Sequence, residues 1–236
     1  MPALTLLSAK ANSITDEEAW YSANQIPPIF LRVPNPNLRE TGELPDIVPA
    51  TSDGLIAVRA FRDETHGYVI YGEDFSAGAL LVVWDSEFSK RERILDFSSW
   101  RRAPKVVAGD EAFVDQSIRF ARIVDGILYI SHSHSTYAKS SGGMNAYLSA
   151  LDFETGELLW RSEPLVANAA NFLVVGEGIL TGYGFTAEAD YLFVLDRHTG
   201  RTMAKTAVKS GPEVLALREE ILHVRTYNTD YRFKVK

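Results

Sequence analysis

The stretch YLSALDFETGELLW, residues 147–160, joins two alternating segments through an Asp-x-x-Thr-Gly turn. That turn has a physical basis: the aspartate accepts backbone N–H groups of the turn, and Gly156 adopts positive φ without steric cost. The device returns in YLFVLDRHTGRTM, where Gly156 to Gly200 is a step of 44 residues. LLVVWDSEFSKRERI is a looser copy, with Asp85 in the aspartate position and Ser89 in the glycine position, 67 residues before Gly156. LRETGEL repeats the turn at residues 40–44; Leu38 stands where the aspartate belongs, and Gly42 to Ser89 is a step of 47.

A second landmark precedes each hairpin, a short apolar run after an acidic or glycine turn. It occurs as HGYVIYG at His66, DGILYIS at Asp125, EGILTGY at Glu177 and EEILHVR at Glu219. The last leads into DYRFKVK, which aligns with DYLFVLD by a step of 40 from Tyr191 to Tyr231. Alternating β-branched and aromatic residues suit half-buried antiparallel strands. The third unit accordingly reads as four strands, IRFARIV, ILYISHS, YLSALDF and ELLWRSE. Helical signal is confined to SITDEEAWYS, with Thr15 as N-cap and Glu18 three residues later.

Four-stranded units recurring at this interval predict an all-β chain, a single β-propeller domain over residues 1–236. The expected count is about five blades, the first degenerate and the fifth short of its outermost strand. ALTLLSA, residues 3–9, is a strand without a unit. It is expected to supply the missing strand and close the last blade, removing two sheet edges that would invite aggregation. Four blades, or a partial ring completed by another subunit, stay open at this point.

Composition narrows the partners. With 236 residues, 46% of them hydrophobic, the chain can bury one substantial core. A net charge of −7 disfavours nucleic acid as a partner of the whole surface. The chain has no cysteine, which excludes disulfides, thiolate zinc sites and a cysteine nucleophile. The N-terminus lacks a positive n-region, and no apolar run is long enough to span a bilayer, so no membrane is expected. The expected compartment is the cytoplasm, or the periplasm or exterior if a leader was removed. The oligomeric state is not specified.

YLSALDFETGELLW, and more weakly YLFVLDRHTGRTM, resemble the repeat of the PQQ-like, or quinoprotein-dehydrogenase-like, β-propellers. The resemblance is concentrated in residues 120–205. It implies the propeller fold. For the quinone-using enzymes it also implies rings of about eight blades, calcium and often a vicinal cysteine pair. This chain is too short for that ring and has no cysteine. No cofactor is therefore expected, and the chain sits closer to the non-enzymatic members, which resemble protein-binding scaffolds.

In a four-strand meander the first and third turns share one end of the sheet, and the longer connections share the other. The Asp-x-x-Thr-Gly turns fall at the quieter end. The long segments at the opposite end are residues 98–116, 132–145 and the GYGFTAEAD loop. Insertions of this kind collect on binding faces. The expected binding residues are Trp100, Arg101 and Arg102 from the first, His132, His134, Tyr137 and Lys139 from the second, and Tyr183 from the third. Trp and paired Arg are hot-spot residue types. Two histidines two apart point to one side of a strand, but no third ligand accompanies them, so no metal is expected. Asp53, Asp110, Glu111, Asp115 and Glu213 are the carboxylates placed to face a central channel, yet no spacing among them is diagnostic of catalysis. No nucleophile elbow, phosphate loop or H-E-x-x-H motif is present. The expectation is a non-catalytic scaffold that binds a protein. The competing reading is an enzyme acting on a glycan or small molecule at the channel, or a degenerate quinone-binding protein.

Overall fold

The computed structural model describes residues 2–14, 16–35 and 43–236. They form two compact units, one of Met1–Pro27, Pro104–Val114 and Arg119–Lys236, the other of Pro28–Ala103 and Asp115–Ile118. The chain opens with strand β1 (Leu4–Ala11) and helix α1 (Glu17–Asn24). Asp16 caps the helix by accepting the Ala19 N–H at 2.7 Å, and Glu17 and Glu18 in the first turn complement the helix dipole. Thr15, the expected cap, lies outside the described residues. Gln25 ends the helix in the left-handed region, and Trp20 and Tyr21 are its buried side.

The second unit holds one sheet. Short β2 (Phe30–Leu31) and β3 (Thr51–Ser52) both pair with β4 (Leu55–Arg62), which leads through β5 (His66–Gly72) and β6 (Leu80–Asp85) to β7 (Arg91–Asp96). Val48, Ala60, Val69, Tyr71, Val82 and Phe88 form its core. In the looser turn copy Phe88, not Ser89, takes the left-handed position, at φ 55, and its N–H closes onto Asp85 O at 3.0 Å. The strain is held by burial: the Phe88 ring occupies the space a Cβ on Gly67 would need, 2.5 Å from Cε1.

The first unit holds three sheets, the opening two residues of β8 being counted with the other unit. They are β8 (Ser117–Val124) to β11 (Leu158–Arg161) with β9 (Ile127–Ser133) and β10 (Tyr147–Asp152) between. Next come β12 (Leu173–Val175), β13 (Gly178–Tyr183), β14 (Tyr191–Asp196) and β15 (Thr202–Ala207). Last are β16 (Pro212–Arg218), β17 (Ile221–Thr226) and β18 (Thr229–Val235). β1 pairs antiparallel with β18 from Leu4↔Val235 to Ala11↔Thr229, so the N-terminal strand completes the last sheet as expected. The described residues therefore contain four sheets rather than five. The degenerate first unit contributes only β2 and β3, both paired to β4. Its turn, around Gly42, lies outside the described residues.

The Asp-Thr-Gly turns have the expected geometry. Asp152 accepts Thr155 N–H at 2.7 Å, and Gly156, at φ 78, donates to Asp152 O at 2.8 Å. Asp196 accepts both the N–H and the hydroxyl of Thr199 at 2.9 Å, and this hydroxyl holds its carboxyl below the usual carboxylate range. The first and third turns of a sheet lie together: Phe153 N–H donates to Gly126 O at 2.9 Å, and Arg197 N–H to Glu177 O at 3.2 Å. Trp160 Nε1–H then donates to Arg197 O at 3.2 Å, joining one sheet's last strand to the next sheet's turn.

Candidate functional site

The opposite ends of β9 and β13 carry the long loops of the first unit, and these are built as one body. His134 is 3% exposed. Its N–H donates to Asn145 Oδ1 at 2.8 Å, and Asn145 Oδ1 also accepts Ala146 N–H at 2.7 Å. Ser141 donates its hydroxyl to Ala138 O at 3.2 Å. The contact between His134 Nε2 and Ser141 Oγ, 2.8 Å, is therefore donated by the ring, and Nδ1 accepts from Thr136 N at 3.4 Å. This is a neutral imidazole, and burial depresses its pKa. It closes residues 134–146 on themselves around the 3-10 turn Ala138–Ser141.

Glu188, from the neighbouring loop, fastens that body to β13. One carboxylate oxygen accepts Ala138 N–H at 2.7 Å, and the other accepts the Tyr183 hydroxyl in a short bond. Burial, then the Glu188 bond, pushes the Tyr183 phenol well above its ordinary range. Asp190 beside it is raised by burial and by Glu188, and its Oδ1 has no hydrogen-bond partner among the described residues. Gly184 is required there, since a Cβ would lie 3.0 Å from the Asp190 carboxyl carbon.

Above this support the exposed groups include Tyr137, at 38%, Met144, at 40%, and Lys139. Tyr137 stands edge-on to Phe185 at 5.2 Å, with the Lys139 ammonium 5.2 Å from its ring centroid. Val107, 42% exposed, is tied to the same loop by its N–H to Ser140 O at 2.9 Å. Of the expected residues, the structure thus gathers His134, Tyr137, Lys139 and Tyr183. His132 is different: it lies within β9, 2% exposed, stacked on Tyr147 at 5.4 Å and 3.4 Å from Ser149 Oγ. Burial, then the charge of Arg161, lowers its pKa to about 3.

Trp100, Arg101 and Arg102 lie in the second unit. Trp100 is half-buried against Phe97 at 4.7 Å. Arg101 pairs with Asp115 at 3.4 Å and reaches Glu73 at 4.0 Å, while Arg102 is exposed. The five channel candidates are dispersed in their bonding. Asp53 sits in a tight turn at φ 52 beside Ser52, and Asp115 holds Arg101. Asp110 and Glu111 open a 3-10 turn. Glu213 faces Arg225 at 3.6 Å and is raised, chiefly by burial. Among the described residues no group of three or more His, Asp or Glu is placed to hold a metal, and no helix is long and apolar enough to cross a membrane.

Sequence reasoning missed Glu188, Ser141 and Asn145. All three were in view inside the long loops, but their partners are fixed by the fold: Glu188 bonds a residue 50 positions away.

No protein-family model matches the sequence, and no curated protein sequence matches it. Similar solved structures include the computationally designed Ika4 protein, at 12% identity and TM-score 0.48 over 83% of this chain and all of that one. BamB from Moraxella catarrhalis is similar at 12% identity and TM-score 0.40, over 73% of this chain and 56% of that one. The AfRom2 CNH domain is similar at 11% identity and TM-score 0.45, over 77% of this chain and 51% of that one.

Proposed function

We propose that the sheets are blades of a β-propeller of the PQQ-like kind, and that the protein is a non-catalytic scaffold. It binds a protein partner through the long-loop end of the first unit. The observation that carries this reading is the mounting of Tyr137 and Lys139. An exposed aromatic and a cation sit on a loop whose interior is hydrogen-bonded through His134, Ser141 and Asn145 and fastened by Glu188. Rigid presentation of such groups lowers the ordering cost of association, which is what a binding surface needs. In this reading His132, His134 and Tyr183 support the surface, while Tyr137, Lys139 and Met144 meet the partner. Trp100, Arg101 and Arg102, in the second unit, carry the same hot-spot chemistry. A photo-reactive residue in place of Tyr137 tests the proposal: it should crosslink a protein from an extract of the source organism, and the same residue at Thr155 should not.

A further inference from the structure

Strand β17 alternates. Leu222 and Val224 enter the core of the first unit, which places His223 on the sheet's other face. Register sets Arg232 of β18 directly beside His223. The end of α1 lies over them, and Arg218 donates to Asn24 O at 3.3 Å. The result is a cleft of about 340 Å³, lined by Asn24, Gln25, Arg218, His223 and Arg232, with Glu219 as its carboxylate. It runs through His223, Arg232 and Asn24 into a second space of about 290 Å³, where Lys10 stands and Asp230 is engaged by Trp20 Nε1–H at 3.0 Å.

His223 is 6% exposed, yet no hydrogen bond to its ring is found among the described residues. The ring nitrogens of His223 are not among the fully buried unpaired atoms, so the imidazole can donate to a group seated in the cleft. Neither Arg232 nor Lys10 forms an ion pair among the described residues, and burial, then the guanidiniums of Arg232 and Arg218, depress the His223 pKa. Two guanidiniums and a ring N–H converging on one space match an oxyanion better than a cation or an apolar group.

We infer that this cleft binds a phosphate-type dianion, with Arg218 and Arg232 as its charge partners and His223 as the buried donor. It is independent of the long-loop surface. The site would take a free phosphate or the phosphate group of a small ester, since a cleft of this size holds more than the anion alone.

The test follows the His223 ring by NMR, assigned with His223→Gln, while inorganic phosphate is added against sodium chloride of matched ionic strength. A saturable shift with phosphate is expected. About tenfold weaker binding is expected in Arg232→Ala or Arg218→Ala, the loss typical of a charge-assisted bond. Both arginines are exposed, so the variants should unfold at the wild-type temperature. Glycerol 3-phosphate binding at least as tightly would identify an ester ligand, and weaker binding would identify free phosphate. No saturable shift beyond chloride, an equal response to acetate, or undiminished binding in the doubly substituted protein would overturn the inference.

Discussion

Trp160 lies directly on Gly200. A Cβ at Gly200 would stand 2.7 Å from Trp160 Cζ3, and Gly200 is itself at φ +69. The repeat's terminal tryptophan thus needs the next repeat's glycine for contact as well as for turn geometry. Gly200→Ala should cost about 2–4 kcal/mol, combining left-handed strain with overpacking. In a Trp160→Ala background the overpacking part should vanish and only about 1 kcal/mol of backbone strain remain. Urea unfolding of the four proteins in this cycle checks the coupling.

His132 makes stability depend on pH. Its folded pKa is lowered to about 3 from an ordinary 6.5, so the unfolded state binds the proton first. Stability is full above pH 6.5 and falls as pH drops toward 3, by about 2 kcal/mol at pH 5. His134 and His223 are also depressed and act in the same direction, while the raised carboxyls of Asp190, Glu213 and Asp230 act oppositely at lower pH. The difference between wild type and His132→Gln isolates the one group. Its slope between pH 7 and 5 should be shallower in the variant; an unchanged slope would remove His132 from the account.

Glu188 should control the order of the loop more than its neighbour Tyr183 does. Glu188→Ala removes the acceptor of the Ala138 N–H and should cost about 1–3 kcal/mol while accelerating amide exchange at Ala138. Tyr183→Phe leaves that bond intact, so it should cost about 1 kcal/mol with exchange at Ala138 unchanged.

In the second unit the tryptophan and the arginines should separate. Trp100→Ala loses packing against Phe97 and should cost about 2 kcal/mol. Arg101→Ala breaks exposed ion pairs worth about 0–1 kcal/mol, and Arg102→Ala should change stability by less than about 0.5 kcal/mol. Thermal unfolding of the three variants gives the order directly.

Much of this architecture is written locally and so could be read from sequence. The Asp152–Gly156 and Asp196–Gly200 turns specify themselves through an aspartate acceptor and a glycine at positive φ. The pairing of β1 with β18 follows from a strand that lacks a unit and a unit that lacks a strand. What failed depends on the third dimension. Ser89 stands at the glycine position, but the turn closes one residue earlier because core packing pays for Phe88 in the left-handed region. His132 and His134 read as binding residues of a long loop. Both are buried, because β9 is covered on both faces and the loop folds back over its own polar groups. Nothing in EEILHVR distinguished His223 from a strand's ordinary polar face; the cleft beside it comes from α1 and β18, more than 200 residues apart.

The most direct test of the central claim compares crosslinking from two positions on the folded protein. A photo-reactive residue at Tyr137 samples the long-loop surface, and one at Thr155 samples the quiet Asp-Thr-Gly end. The account predicts one discrete crosslinked protein from position 137, lost when Lys139 and Met144 are both replaced by Ala, and none from position 155. No crosslink from position 137, or the same products from both positions, would contradict it.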